Sequence, residues 1–346
     1  MKFQLAVNLE RLDDQMDMSQ VMRHTLEMVQ MAERGGFHIV WSAEHHALEM
    51  TIAPDPFQLL TWWAQHTSTI RLGTAVAVAA YWHPIKLAGT AAMTDLLSGG
   101  RLEFGIGSGA YQREFDRMKP GLKQSDGWRY MNEMLPALKA LWQGDYEHDG
   151  EFWQFPVSTS VPKPVQTPHP PIWLAARAPV TYEMAVEHGM NIMSWPLTRD
   201  MAEAELYRQR LDDAMAKFPN MPKPIFAMMR HTAVYDKPSD ADVPVKAIQR
   251  TLGQFENLFR NMGDVHNGFP KAVELSELEG REQYDPKMLQ ENLMFGTPDE
   301  CIKKLKRYKE LGVDQYTYYA SMGLGHKEQK RSLELFINEV MPEFAE

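Results

Sequence analysis

Short apolar runs alternate along the chain with stretches of helical periodicity. Residues 3–7, 37–40, 71–76, 101–106, 172–176, 191–195, 225–234 and 314–320 are apolar enough, and short enough, to read as eight buried strands. Between the first two, Val21, Thr25, Met28 and Ala32 recur at spacings of four and three, the mark of one buried helical face. Ser19 is the expected cap of that helix and Gly35-Gly36 its stop. Further helices are expected over 55–67, 84–97, 126–142, 179–188, 199–217 and 327–340. Another starts at Thr297-Pro298-Asp299-Glu300, with Thr297 capping and Pro298 at the first helical position, and runs to Glu310.

About eight strand–helix alternations argue for a parallel sheet, and eight units favour a closed (β/α)8 TIM barrel over an open sheet. Two stretches break the pattern. Residues 146–171, after the fourth strand, are rich in proline and aromatics and suggest a hairpin and an irregular connection. Residues 236–292, after the seventh, show helix-like patches but no strand. That is too long for an idle connection, so an active-site insertion or lid is expected there. No linker interrupts residues 1–346, which read as a single domain.

The 346 residues carry a formal net charge of -10, which argues against an extended basic surface for nucleic acid or anionic membrane but not against a small basic pocket. A single cysteine, Cys301, rules out an internal disulfide and a cysteine metal cluster. No apolar run is long enough to span a bilayer and the first residues do not read as a signal peptide, so a cytoplasmic protein is expected.

Barrels of this kind keep their chemistry at the C-terminal ends of the strands. Glu44-His45-His46 lies there, after the second strand. Side-chain alternation lets at most one of the two imidazoles face a site. Read alone, the stretch favours a pair of wet loop histidines. The run Gly105-Ile106-Gly107-Ser108-Gly109 follows the fourth strand with the wrong spacing for a dinucleotide fingerprint; by itself it is a tight turn or a phosphate cradle. Arg177-Ala178 lies past the fifth strand, with Thr181 opening the next helix. Because these strands are consecutive, Ser108 and Arg177 can face one phosphate. There is no H-E-x-x-H and no G-x-S-x-G, and no metal is expected, which leaves acid–base or cofactor chemistry.

The stretch from Gly73 to Pro84 with Ser98-Gly99-Gly100-Arg101-Leu102-Glu103-Phe104-Gly105-Ile106-Gly107, together with Ala43-Glu44-His45-His46, Ser194-Trp195 and Gly296-Thr297-Pro298, resembles the bacterial luciferase-like, flavin-dependent monooxygenases over essentially the whole chain. The resemblance implies a two-component enzyme. An NAD(P)H-dependent flavin reductase supplies reduced FMN, and dioxygen reacts through a C4a-peroxyflavin to oxygenate a small apolar or carbonyl-containing substrate. It implies His45 as the catalytic histidine, with Glu44 and His46 in support. Ala75-Val76 is implied as a non-prolyl cis peptide under the flavin, with Tyr111, Thr181 and Trp195 near the cofactor. Gly107 stands where luciferases have a reactive cysteine. Ser108 replaces their phosphate-binding arginine and Arg177 an acidic residue, so the positive charge is expected to have moved to the neighbouring loop. A homodimer is also implied, and the small residues Ala88, Gly89, Ala91 and Ala92 suit close packing. Two alternatives remain, an F420-dependent hydride-transfer enzyme and a non-catalytic flavin-binding subunit.

Overall fold

In the computed structural model, which describes residues 1–278 and 281–345, eight strands run parallel and close on themselves. They are Lys2–Ala6, Ile39–Ser42, Arg71–Thr74, Leu102–Gly107, Ile172–Ala175, Asn191–Ser194, Phe226–Val234 and Gln315–Tyr319. Each pairs with the next, and the eighth pairs with the first, Lys2 standing opposite Gln315. The expected (β/α)8 barrel is therefore present, with strand ends within two residues of the predicted ones. The helices outside it are α1 (Met18–Arg34), α2 (Pro56–Ala64), α3 (Pro84–Leu97), α4 (Gln112–Met118), α5 (Gly127–Gln143), α6 (Pro179–Glu187), α7 (Met201–Lys217), α8 (Asp242–Arg260), α9 (Pro286–Asn292), α10 (Pro298–Glu310) and α11 (His326–Leu335).

The barrel interior is a filled layer with its polar atoms paired. The Trp41 indole donates to Gln4 at 2.8 Å, and Trp173 donates to Glu103, which also pairs with Arg71. Trp41 meets Trp173 edge-on, with ring centroids 5.3 Å apart. Gly73 makes this layer possible, since a Cβ there would lie 2.1 Å from the Trp41 ring. These indoles form the floor on which the site is built.

Several expectations are corrected. The cap of α1 is Asp17, whose carboxylate accepts from the Ser19 N–H at 2.9 Å; Ser19 lies inside the helix. α2 ends at Ala64, because the His66 N–H and the Thr67 hydroxyl both turn back onto the Trp63 carbonyl. The insertion over 236–292, whose residues 279–280 lie outside the described residues, does contain strand. Val265–His266 pairs with Phe269–Pro270 across Asn267-Gly268. Both turn residues have positive φ (47° and 85°), which suits the Asn-Gly sequence of a tight hairpin. The stretch 146–171 holds the expected hairpin, Tyr146–Asp149 with Gln154–Ser158. The final helix passes through a π turn at Phe336–Val340.

Candidate active site

The C-terminal strand ends surround a cavity of about 620 Å³. Its wall includes Glu44, His45, Ala75, Val76, Gly107, Ser108, Tyr111, Arg177, Ala178, Thr181 and Trp195, so the residues singled out from the sequence meet in one place. His46 is the exception, and its ring turns away from the cavity. Only one imidazole faces the cavity, as expected. Both residues lie past the strand end at Ser42, however, and it is the loop, with Glu44 drawing in the His46 ring, that parts them. A second hollow of about 650 Å³ lies outside the barrel between α2 and α3, away from the strand ends.

His45 is held from behind. Its Nδ1 lies 3.1 and 3.2 Å from the two oxygens of Glu114, and its ring stacks on Tyr111 with centroids 5.0 Å apart. Glu114 also accepts the His46 backbone N–H at 2.6 Å, fixing the loop as well as the ring. A carboxylate only accepts, so Nδ1 carries the proton it donates to Glu114, and Nε2 is the nitrogen left for the cavity. Burial disfavours the charged imidazolium, but the Glu114 carboxylate, with Glu44 further off, outweighs burial and raises the His45 pKa above its ordinary value. Burial, with the Glu114 charge, also drives the Tyr111 pKa far upward, which keeps the phenol neutral.

His46 and Glu44 form a second, structural pair. The His46 Nε2–H donates to one Glu44 oxygen at 2.8 Å. The other accepts from the Val78 N–H at 2.7 Å and the Trp82 indole at 2.9 Å. Glu44 thus ties the histidine loop to the segment that follows Ala75-Val76, whose peptide bond is cis.

Ser108 and Arg177, from the loops after the fourth and fifth strands, and Thr181, in the first turn of α6, line the same cavity. The Arg177 Nε–H donates to the Tyr207 hydroxyl at 3.2 Å, which steadies the guanidinium. Gly107 is required by close approach, since a Cβ there would come within 2.5 Å of the Val76 side chain. A larger residue at 107, cysteine included, would collide with that wall. Small side chains together with hydroxyls and a guanidinium in one lining suit a flat ring system bearing an anionic tail, such as FMN. Among the described residues, no cluster of three or more His, Cys, Asp or Glu is placed to hold a metal ion.

Glu114 is the residue that sequence reasoning missed. It lies in α4, seven residues long, where only Glu114 and Phe115 are buried, so no periodic apolar signal marks the helix. Asn8, Phe255, Phe259 and Tyr319 also line the cavity without having been singled out.

The family described as luciferase-like monooxygenase matches residues 1–315. The oxygenase component of the flavin-dependent trigonelline monooxygenase of Acinetobacter baylyi is 42% identical over 346 residues, covering 100% of this chain and 96% of that protein. The FMNH2-dependent dimethylsulfone monooxygenase of Pseudomonas putida is 26% identical over 67% of this chain and 64% of its own length. In fold, the oxygenating constituent of 3,6-diketocamphane monooxygenase from a Pseudomonas putida plasmid, solved with FMN, superposes with a TM-score of 0.80 at 17% identity. That match covers 99% of this chain and 98% of the other. The chain belongs to the luciferase-like monooxygenase family, as a flavin-dependent monooxygenase.

Proposed function

We propose that this chain is the oxygenase component of a two-component system, taking reduced FMN from an NAD(P)H-dependent flavin reductase and oxygenating a flat N-methylpyridinium carboxylate of the trigonelline type. The observation that carries the reading is His45 on the cavity wall with its pKa raised by Glu114, beside a cradle shaped for a flavin. Trigonelline itself enters through the full-length similarity to the Acinetobacter enzyme. This zwitterionic substrate departs from the small apolar or carbonyl-containing one expected from the sequence. Tyr111, Trp195, Phe255, Phe259 and Tyr319 give the cavity an aromatic lining, and the faces of such rings attract a cationic one.

When bound, reduced FMN supplies the electrons that activate dioxygen, one atom going to substrate and the other to water. The chain does the rest. Arg177, Ser108 and Thr181 hold the phosphate, while Ala75, Val76 and Gly107 offer the ring a smooth wall. His45 would turn Nε2 toward the bound ring as a proton donor or acceptor, and Glu114 holds the ring in place and its pKa above the ordinary value. Phe255 and Phe259 of α8 cover the cavity and keep water out, the lid role expected of the 236–292 insertion. Two copies of the chain form the working dimer.

Oxygen uptake by the isolated chain with reduced FMN should rise on adding trigonelline and yield an oxygenated product. His45→Ala should cut that turnover at least ~100-fold while reduced FMN still binds nearly normally; parallel loss of both would make the histidine structural. Reduction of substrate by reduced F420 without air, and no oxygen uptake with reduced FMN, would favour hydride transfer instead.

A further inference from the structure

On the side of the cavity formed by strands six to eight, two hydrogen-bond donors have no acceptor among the described residues. The Trp195 Nε1–H is shielded from solvent and has no acceptor among the described residues. The Tyr319 hydroxyl accepts from the Asn8 side-chain N–H at 3.0 Å, so its own proton remains unspent. Both side chains line the cavity, and their rings meet edge to face at 5.4 Å. His231, 1% exposed, locks the pair, stacking on Tyr319 at 4.4 Å and meeting Trp195 edge-on at 5.5 Å. Burial and then Arg230 hold the His231 pKa down at about 3, against one backbone hydrogen bond to Ser321, so the imidazole stays neutral.

A buried donor without an acceptor costs free energy unless a ligand supplies one. An indole N–H can only donate, so the group that satisfies it is an acceptor. Resting on the substrate reading above, we propose that Trp195 Nε1–H and Tyr319 Oη–H together bind the carboxylate of a heteroaromatic substrate and so fix which ring edge meets the oxygenation site. A pyridinium lacking the carboxylate would keep its attraction to the aromatic walls and lose its orientation.

Trp195→Phe and Tyr319→Phe remove the donors and keep aromatic rings in place. Dissociation constants are measured anaerobically on protein loaded with reduced FMN, using trigonelline, N-methylnicotinamide and N-methylpyridinium, with FMN affinity followed in parallel. The wild type should bind trigonelline about tenfold or more tightly than either analogue, the size expected of hydrogen bonds to a charged acceptor. Each variant should lose most of that advantage while its affinity for N-methylpyridinium holds. An advantage retained in both variants, equal weakening toward trigonelline and N-methylpyridinium, or wild-type affinity for the carboxamide matching that for the carboxylate would each overturn the inference. Failure of the wild type to bind any of the three would overturn it too, while oxygen uptake with reduced FMN would leave the monooxygenase reading standing. Loss of that uptake would remove the reading beneath it.

Discussion

At the scale of single residues, the site depends on a carboxylate that never needs to touch the cofactor. Glu114 is almost wholly buried and sets both the orientation and the charge of His45. In Glu114→Gln, burial would act on His45 with its main opposition gone, and the His45 pKa should fall. Proton NMR titration of the His45 ring would detect this, and an unmoved midpoint would remove Glu114 from its role. The linkage sign follows. A histidine pKa raised by folding adds stability that is fully present below about 6.5, the unfolded value, and is lost as pH rises through the raised folded value. The wild type should therefore lose stability over that window, and Glu114→Gln should lose less. Arg177→Ala should weaken binding of reduced FMN by roughly tenfold, the lower end for a charge-assisted bond because this side chain is exposed; an unchanged dissociation constant would sink the relocated phosphate charge. His45 was legible because the family motif names it, alternation having said only that at most one of the two imidazoles faces the site. Glu114 was not, since what recruits it is a contact across 69 residues of chain that leaves no local pattern.

At the scale of elements, the barrel was readable because its strands are buried on both faces and long helices such as α1 carry one apolar stripe. The insertion was harder because α8 serves two surfaces. Val245, Ile248 and Leu252 pack into a small separate core with Leu289 and Phe295, while Phe255 and Leu258 turn to Leu48, Met50 and Tyr111 at the site. The two demands spread its apolar positions and blur the stripe. The following hairpin was missed although Asn267-Gly268 is a strong turn signal, because its strands are only two residues long. If α8 is the lid, Phe259→Ala should open the cavity to water and leave reduced FMN binding largely intact. The ratio of oxygenated product to oxygen consumed should fall severalfold, and an unchanged ratio would make the helix a scaffold only.

At the scale of the whole molecule, the structure redirects the argument for a dimer. Ala88, Ala91 and Ala92 are fully buried within the chain, where the close approach they permit is used by neighbours such as Trp142, whose indole donates to the Ala88 carbonyl at 3.0 Å. Gly89 alone of the four lies in the outer hollow between α2 and α3. What remains for a partner is a run of large side chains on α3, with Met93 43%, Leu96 48% and Leu97 48% exposed beside that hollow. Single exposed leucines need no explanation, but three on one helix beside a concave surface make a site that a second copy can fill by a two-fold operation. Charging that face should therefore break the proposed dimer without disturbing the barrel. Met93→Glu combined with Leu97→Lys should sediment as a monomer at concentrations where the unaltered chain is a dimer, with oxygen uptake per chain retained because the catalytic cavity is built within one barrel. A dimer that survives both charges would place the interface elsewhere, and a wild-type monomer would reject the dimer itself.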